Sequence, residues 1–305
     1  MKIIGSYIAG LKEALRQKKI VTLLFIITLL ISAVWAATFK SVMVTALEGR
    51  SNLYKLLNDF DSTIYSDLMN NYGDLVKAFI TGMGWLAVFY FFFTVFFAGG
   101  IFRLMNQKLD RVNGKNFFAG CAQYFLRFLR LGLYTLLTQL IVFGVIAIIF
   151  SVATRNMTET STEPTIFYTY LAWMILHIIF FIFITIVSDY AKIILIKEDS
   201  KKIWHALWSS FKFIIRKIHL VYSLYLLIII LPILLTIFYL WLDSVLGMKS
   251  MLTVLVMLII QQFLIWTRLF IKVWLLGSQF NFYNEYYAVR TQPMLTQEIM
   301  MNENL

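Results

Sequence analysis

Residues 78–102 read AFITGMGWLAVFYFFFTVFFAGGIF, an apolar stretch that contains no charged residue. Five consecutive aromatic residues, 89–93, lie at its centre, and a helix of a water-soluble protein would not expose them. A hydrocarbon core about 30 Å thick requires about 20 apolar residues of a helix that crosses it. Because lipid offers the backbone no hydrogen bonds, a spanning segment must satisfy its polar groups internally, as a helix does. The stretch therefore predicts a transmembrane helix.

Five further runs of the same kind are spread along the chain of 305 residues. The chain is 60% hydrophobic and only 14% charged, whereas soluble domains carry about 25% charged residues. Alternating strands of about ten residues, which are typical of a membrane β-barrel, are not seen in the sequence. We predict an all-α integral membrane protein whose six transmembrane helices are 20–39, 78–102, 131–153, 166–188, 219–241 and 251–276.

The net charge of +11 is distributed unevenly between the two sides of such a bundle. With alternate segments assigned to alternate sides, 21 of the 27 Lys and Arg residues fall in the N-terminus, the loops after spans two and four, and the C-terminal end. This is the positive-inside pattern, and it predicts that both termini are cytoplasmic. Anionic lipid head groups at the cytoplasmic face are the expected partners of these residues, and a nucleic-acid partner is not indicated.

Three segments share one plan, in which an amphipathic stretch and basic residues precede a span. Amphipathic helices of this kind lie in the membrane interface with the apolar face toward lipid. The segments begin Tyr7-Ile8-Ala9-Gly10-Leu11, Phe117-Phe118-Ala119-Gly120-Cys121 and Ile203-Trp204-His205-Ala206-Leu207. We therefore predict a single membrane domain, 1–280, built from three units of interfacial helix plus hairpin (1–105, 106–192 and 193–280), and a polar cytoplasmic tail, 281–305.

Short motifs near the ends of the spans suggest a family. They are Ala98-Gly99-Gly100-Ile101, Phe117-Phe118-Ala119-Gly120, and Asp189-Tyr190-Ala191-Lys192 followed by Asp199. With this plan the chain resembles a broad group of uncharacterised bacterial inner-membrane proteins with six spans, similar to the membrane domain fused to some glycerophosphodiester phosphodiesterases. The resemblance implies the fold and a bacterial inner-membrane location. It implies no reaction, because the phosphodiesterase chemistry belongs to a separate soluble domain.

Polar or helix-breaking residues fall near the expected mid-depth of five spans. The one ionisable side chain that we place at the bilayer centre is His177, and its neighbours in depth are Tyr90, Gln139, Pro232, Gln261 and Gln262. Ionisable groups at this depth are costly and usually face the bundle interior, as they would in a binding site or a pore constriction. Interhelical hydrogen bonds that hold the bundle together explain the same residues without any site, and this is the explanation that we favour.

A second polar cluster is expected at the inner boundary of the membrane. It consists of Arg103, Asp189, Lys192, Arg268 and Lys272. Arg268 and Lys272 are four residues apart and hence on one face of span six, so we expect Asp189 to form an ion pair with one of them. Ordinary snorkelling of long cationic side chains toward water is the alternative explanation.

The sequence carries no recognisable catalytic motif, and it predicts no catalytic residue, metal site or cofactor. The three histidines are dispersed, and a single cysteine, Cys121, allows no intrachain disulfide. The favoured interpretation is a non-enzymatic protein, such as a small transporter, a channel or an accessory subunit for a lipid or small solute. A structural or assembly factor of a membrane complex, indicated by a large apolar side groove, is one alternative. An enzyme acting on lipid head groups, indicated by a pocket of carboxylates and histidine, is another.

Overall fold

The computed structural model describes residues 2–47, 61–107, 113–155, 163–246 and 250–302. These residues are helical almost throughout, and the described part contains no strand. The predicted all-α fold class is therefore confirmed. In chain order the helices are α1 (Lys2–Arg16), α2 (Lys18–Leu47), α3 (Ser62–Gln107), α4 (Gly114–Thr154), α5 (Glu163–Lys197), α6 (Ile203–Arg216), α7 (Ile218–Leu246) and α8 (Met251–Asn302).

Six helices of the described part are long and apolar enough to cross a membrane, and each contains one predicted span. Their membrane-length segments are Lys18–Ser41, Val76–Gln107, Gly114–Thr154, Pro164–Lys197, Ile218–Leu246 and Met251–Tyr287. Large apolar side chains on these segments are widely exposed, as Trp85 (72%) and Phe263 (68%) illustrate. Such extensive apolar exposure is expected where lipid is the solvent. The protein is a multi-pass membrane protein.

The chain divides into two compact units, and the smaller one comprises residues 20–94. Within it α2 packs on α3 through aromatic rings, and the Trp35 ring stacks on Phe79 with a centroid distance of 5.6 Å. A Cβ atom at Gly82 would lie 2.5 Å from the Trp35 ring, so glycine allows this close approach. The backbone of α3 has a kink at Tyr72, where φ is −129° and ψ is 17°.

The larger unit comprises residues 1–19 and 95–305. Its buried side chains concentrate near the ends of the spans, and its largest fully buried side chain is that of Tyr190 in α5. Aromatic rings pack there edge to face, for example Phe102 of α3 against Phe128 of α4 at 6.0 Å. Where lipid is the solvent, such rings stabilise the contact between helices by van der Waals packing. The well-packed part of this unit is therefore at the ends of its spans.

Each amphipathic segment crosses the end of a different span in the larger unit. A Cβ atom at Gly10 of α1 would lie 2.5 Å from the backbone nitrogen of Ser278 in α8. A Cβ atom at Gly99 of α3 would lie 2.9 Å from the carbonyl oxygen of Gly120 in α4. At the third crossing the Ser210 hydroxyl of α6 donates to the Val187 carbonyl of α5, at 2.7 Å. Small residues allow such backbone approach. The division into three units stays a prediction.

The segment after residue 280 continues the last span as helix. Phe282 and Tyr283 are buried, and the ring of Phe213 in α6 lies 5.2 Å from that of Tyr283 and 6.0 Å from that of Tyr286. From the sequence we predict a polar tail that begins at residue 281. Aromatic residues at helical spacing among the polar ones instead join the first turns of this segment to the folded unit.

Candidate functional site

Two of the residues expected at mid-depth lie where α4 meets α5. The His177 ring is 4.7 Å from the ring of Phe143 and 6.3 Å from that of Trp173. Its Nδ1 atom is buried without a hydrogen-bond partner among the described residues. The Gln139 amide donates to the Thr185 hydroxyl at 3.5 Å. His177 is therefore half-buried beside two aromatic rings at a contact between two spans.

The remaining mid-depth residues have other surroundings. Pro232 lies inside α7, and its carbonyl accepts a hydrogen bond from the Thr236 hydroxyl at 2.7 Å. Gln261 of α8 is exposed, whereas the Oε1 atom of Gln262 is buried without a partner among the described residues. Tyr90 belongs to the smaller unit, and its ring stacks on that of Phe93 at 6.1 Å.

The inner-boundary cluster is only partly assembled. Asp189 Oδ1 is 2.8 Å from Lys192 Nζ, one turn further along α5, because residues three apart on a helix share a face. Lys272 of α8 interacts electrostatically with both of them. The partner of Asp189 is thus Lys192 rather than the expected Arg268 or Lys272.

The two arginines of that cluster turn toward other helices. Arg268 donates to the Thr236 hydroxyl of α7 at 2.6 Å. Arg103 donates to the side-chain oxygen of Gln123 in α4, also at 2.6 Å. Each guanidinium therefore joins two helices through a hydrogen bond.

A groove that the sequence did not reveal lies between α4, α5 and α6. It has a volume of about 350 Å³, and its walls are almost wholly apolar. The side chains that shape it include Val142 of α4, Phe180 and Ile184 of α5, and Trp204, Leu207 and Phe211 of α6. The amphipathic pattern of α6 predicted an apolar face, but only the positions of α4 and α5 make that face the wall of a groove.

A wider cavity, whose lining surface is also mostly apolar, adjoins the groove. It has a volume of about 810 Å³ and is lined by Arg130, Lys202 and His205 together with four other residues. Trp204 and Trp208 line both spaces, so we call this cavity the mouth of the groove. No carboxylate is among the described residues that line the groove or the mouth. Both volumes lie within the range of about 300–1,000 Å³ that is usual for small-molecule sites.

The turn before α6 is fixed to α4, and this sets the position of the mouth. Arg127 of α4 donates to Asp199 Oδ1 at 2.6 Å. Asp199 has a φ of 41°, in the left-handed region that aspartate tolerates better than most residues. The Trp208 ring stacks on Phe211 at 5.6 Å with an interplanar angle of 11°. Two side chains that line the groove, Trp208 and Phe211, thus pack against each other.

No family model, curated protein or solved structure matches this chain. Among the described residues there is no group of three or more His, Cys, Asp or Glu side chains that could hold a metal ion. The site combines an apolar groove, a mouth in which Arg130, Lys202 and His205 lie among mostly apolar surface, and two tryptophans that line both spaces.

Proposed function

We propose that this six-span protein is a non-enzymatic lipid-handling protein that binds an anionic phospholipid at the groove and its mouth. The observation that carries the proposal is that an apolar groove shares Trp204 and Trp208 with a cavity whose described lining includes three potential cations and no carboxylate. One acyl chain occupies the groove, and the phosphate accepts hydrogen bonds from Arg130 and Lys202. Charge-assisted bonds of this kind are about twice as strong as neutral ones.

In this proposal the protein resides in the bacterial inner membrane with both termini in the cytoplasm. The positive-inside pattern supports the orientation, and the resemblance to the six-span inner-membrane group supports the location. The mouth then opens at the cytoplasmic leaflet, where anionic lipids attract basic residues by about 1 kcal/mol each. The protein acts there as a small lipid transporter or as an accessory subunit that senses lipid.

Two alternatives predict different occupants or chemistry. An assembly factor would fill the groove with a helix of a partner protein, but the basic mouth favours a phosphate at the end of the occupant. A head-group enzyme would use His205 as its base, since its Nδ1 atom is 3.7 Å from Glu198 Oε2. His205→Gln removes the base and should abolish turnover by such an enzyme, whereas lipid retention through Arg130 and Lys202 should persist.

Lipid retention by the purified protein tests the proposal. The protein in non-ionic detergent is titrated with phosphatidylglycerol or phosphatidylcholine, and bound lipids are counted by native mass spectrometry. We expect preferential retention of phosphatidylglycerol. The double variant Arg130→Gln/Lys202→Gln should lower this affinity about tenfold or more, because it loses charge-assisted bonds to the phosphate. Lys201→Gln is the matched control, since Lys201 is exposed and lines neither space.

Two results would count against the proposal. Equal retention of both lipids by the wild type and the double variant would overturn the assignment of the mouth. A photoreactive residue placed at Phe180 in living cells gives the second readout. Cross-linking from Phe180 to another protein rather than to lipid would support the assembly-factor alternative.

A further inference from the structure

A second polar cavity adjoins the other face of α6. It has a volume of about 480 Å³, and α6 contributes His205, Ser209, Lys212, Phe213 and Arg216 to its lining. The remaining described residues that line it are Glu198, before α6, and Tyr283 and Tyr287 of α8. We call this space the α6–α8 cavity.

The first two amphipathic segments provide an internal comparison for this cavity. Counted from Tyr7, Phe117 and Ile203, the seventh residues of the three segments are Glu13, Gln123 and Ser209. Glu13 Oε1 accepts hydrogen bonds from Arg16 and Gln17, both at 2.7 Å. Gln123 Oε1 accepts one from Arg103 at 2.6 Å. In both cases a long side chain supplies an acceptor oxygen to a neighbouring arginine.

The third segment has a serine at this position, whose short side chain carries no formal charge. Lys212 corresponds to Arg16, since each is the tenth residue of its segment. A smaller cavity of about 230 Å³ beside α1 is lined by Glu13 and Arg16, among others, so the first segment contains both the cation and its counter-ion. At the corresponding positions the third segment therefore has a serine and a cation where the first has a glutamate and a cation.

The cations of the α6–α8 cavity have no such counter-ion in the described part of the chain. Lys212 Nζ lies 5.2 Å from the centroid of the Trp208 ring, and no ion pair of Lys212 or Arg216 with a carboxylate is found there. Glu198, the single carboxylate among the described lining residues, lies beside His205. Glu285 Oε1 lies 3.8 Å from the position of a Cβ atom at Gly5 of α1. The cavity therefore carries excess positive charge.

We propose that the α6–α8 cavity binds a phosphate group through Lys212 and Arg216, with the Ser209 hydroxyl as a third donor. The phosphate supplies the negative charge that Glu13 supplies beside α1. A lysine provides a compact charge and an arginine a planar pair of donors, and both suit phosphate oxygens. The carrier of this group is either a water-soluble phosphate ester or a lipid head group. The site shares His205 with the mouth but is lined by neither Arg130 nor Lys202, and it does not depend on the proposed lipid function.

Calorimetric titration with inorganic phosphate tests this site. The full chain is reconstituted in phosphatidylcholine nanodiscs, and sodium chloride of equal ionic strength serves as the reference for screening. We expect saturable binding to the wild type. Arg216→Gln should raise the Kd about tenfold or more. Ser209→Glu, which introduces the carboxylate found at position 13, should have an effect at least as large.

Control variants separate the site from general electrostatics and from the groove. Lys201→Gln removes an exposed cation outside the α6–α8 cavity and should leave the Kd unchanged. Arg130→Gln/Lys202→Gln should also leave it unchanged, so a failure of the proposed lipid site is distinguishable from a failure of this one. Arg216 is exposed, so Arg216→Gln remains a valid test even if Ser209→Glu fails to fold.

The source of the phosphate is identified by a second set of nanodiscs that contain phosphatidylglycerol. Unchanged binding of inorganic phosphate identifies a soluble ester, whereas competition by the lipid identifies a head group, and both support a phosphate site. The proposal is overturned if the wild type shows neither saturable binding nor lipid competition. It is equally overturned if Arg216→Gln and Ser209→Glu bind phosphate as the wild type does.

Discussion

Asp189 lies in the C-terminal part of α5, and its buried carboxylate forms an ion pair one turn along the same helix. Lys192 Nζ is 2.8 Å from this carboxylate, and the Lys192 side chain is only 21% exposed. Asp189→Asn keeps the shape of the side chain but leaves the Lys192 ammonium group without its counter-ion. We expect the free energy of unfolding to fall by about 3–5 kcal/mol, measured by reversible unfolding in mixed micelles.

Asp199 provides the comparison, because it also forms an ion pair. Its partner Arg127 is 2.6 Å away, but the Asp199 side chain is 68% exposed. Exposed pairs contribute about 1 kcal/mol or less, so Asp199→Asn should change stability little. Equal losses for Asp189→Asn and Asp199→Asn would contradict a buried charge cluster at the end of α5.

The partner of a single residue could not be predicted from its position along a span. The sequence predicts depths for Asp189, Arg268 and Lys272, because each residue of a helix adds about 1.5 Å along its axis, and these depths stay predictions. The rotation of each helix about its axis does not follow from the sequence. That rotation directs Arg268 toward Thr236 and leaves Lys192 nearest to Asp189. For the same reason the aromatic surroundings of His177 could not be predicted.

Among the helices, glycine allows α1 to cross α8 at close range. A Cβ atom at Gly10 would lie 2.5 Å from a backbone atom of Ser278, which cannot move without moving α8. Gly10→Ala should therefore lower the free energy of unfolding by about 1–3 kcal/mol through overpacking. The loss is measured as a decrease in the melting temperature of the purified protein in detergent.

Gly144 of α4 is the matched control for this crossing. A Cβ atom there would have no atom within 4 Å outside its own stretch of helix. Gly144→Ala should raise stability by about 0.5–1 kcal/mol, since alanine loses less backbone entropy in a helix. A Gly10→Ala variant as stable as Gly144→Ala would mean that α1 does not pack on α8 as described.

The amphipathic helices were partly predictable from their repeated plan. α1 and α6 are separate helices that end at Arg16 and Arg216, each followed by one turn residue before the next helix. α4 instead runs unbroken from its amphipathic start into its span. Similar sequences thus give a broken helix in two cases and a continuous one in the third. The difference depends on packing at the junction, which the hydrophobic pattern does not contain.

At the scale of the whole molecule, the uneven distribution of basic residues predicts the topology. Labelling of single introduced cysteines with a membrane-impermeant maleimide tests it in intact cells and in inverted vesicles. Ser62→Cys should react only from outside and Lys201→Cys only from the cytoplasmic side. Native Cys121 is fully buried and should give little background. Labelling of Ser62→Cys from the cytoplasmic side would contradict the predicted orientation.

Fold class and span positions could be predicted because the membrane imposes them. Hydrocarbon thickness sets the length of an apolar run, and the absence of water makes that run a helix. The groove between α4, α5 and α6 could not be predicted in the same way. Its volume depends on distances between helices that are far apart in sequence, and no local pattern records those distances.

The length of α8 has a mechanical consequence. With 52 residues in one helix, it extends about 78 Å, whereas the hydrocarbon core is about 30 Å thick. The hydrogen bonds of α8 are interrupted at Pro293, which lacks a backbone N–H. Before that residue the helix transmits torque along its axis, because bending it sharply would break backbone hydrogen bonds. Tyr283 and Tyr286 contact Phe213 of α6 part-way along this rod. We therefore expect a rotation of the N-terminal end of α8 about its axis to move Tyr283 and Tyr286, and with them the Phe213 side chain of α6.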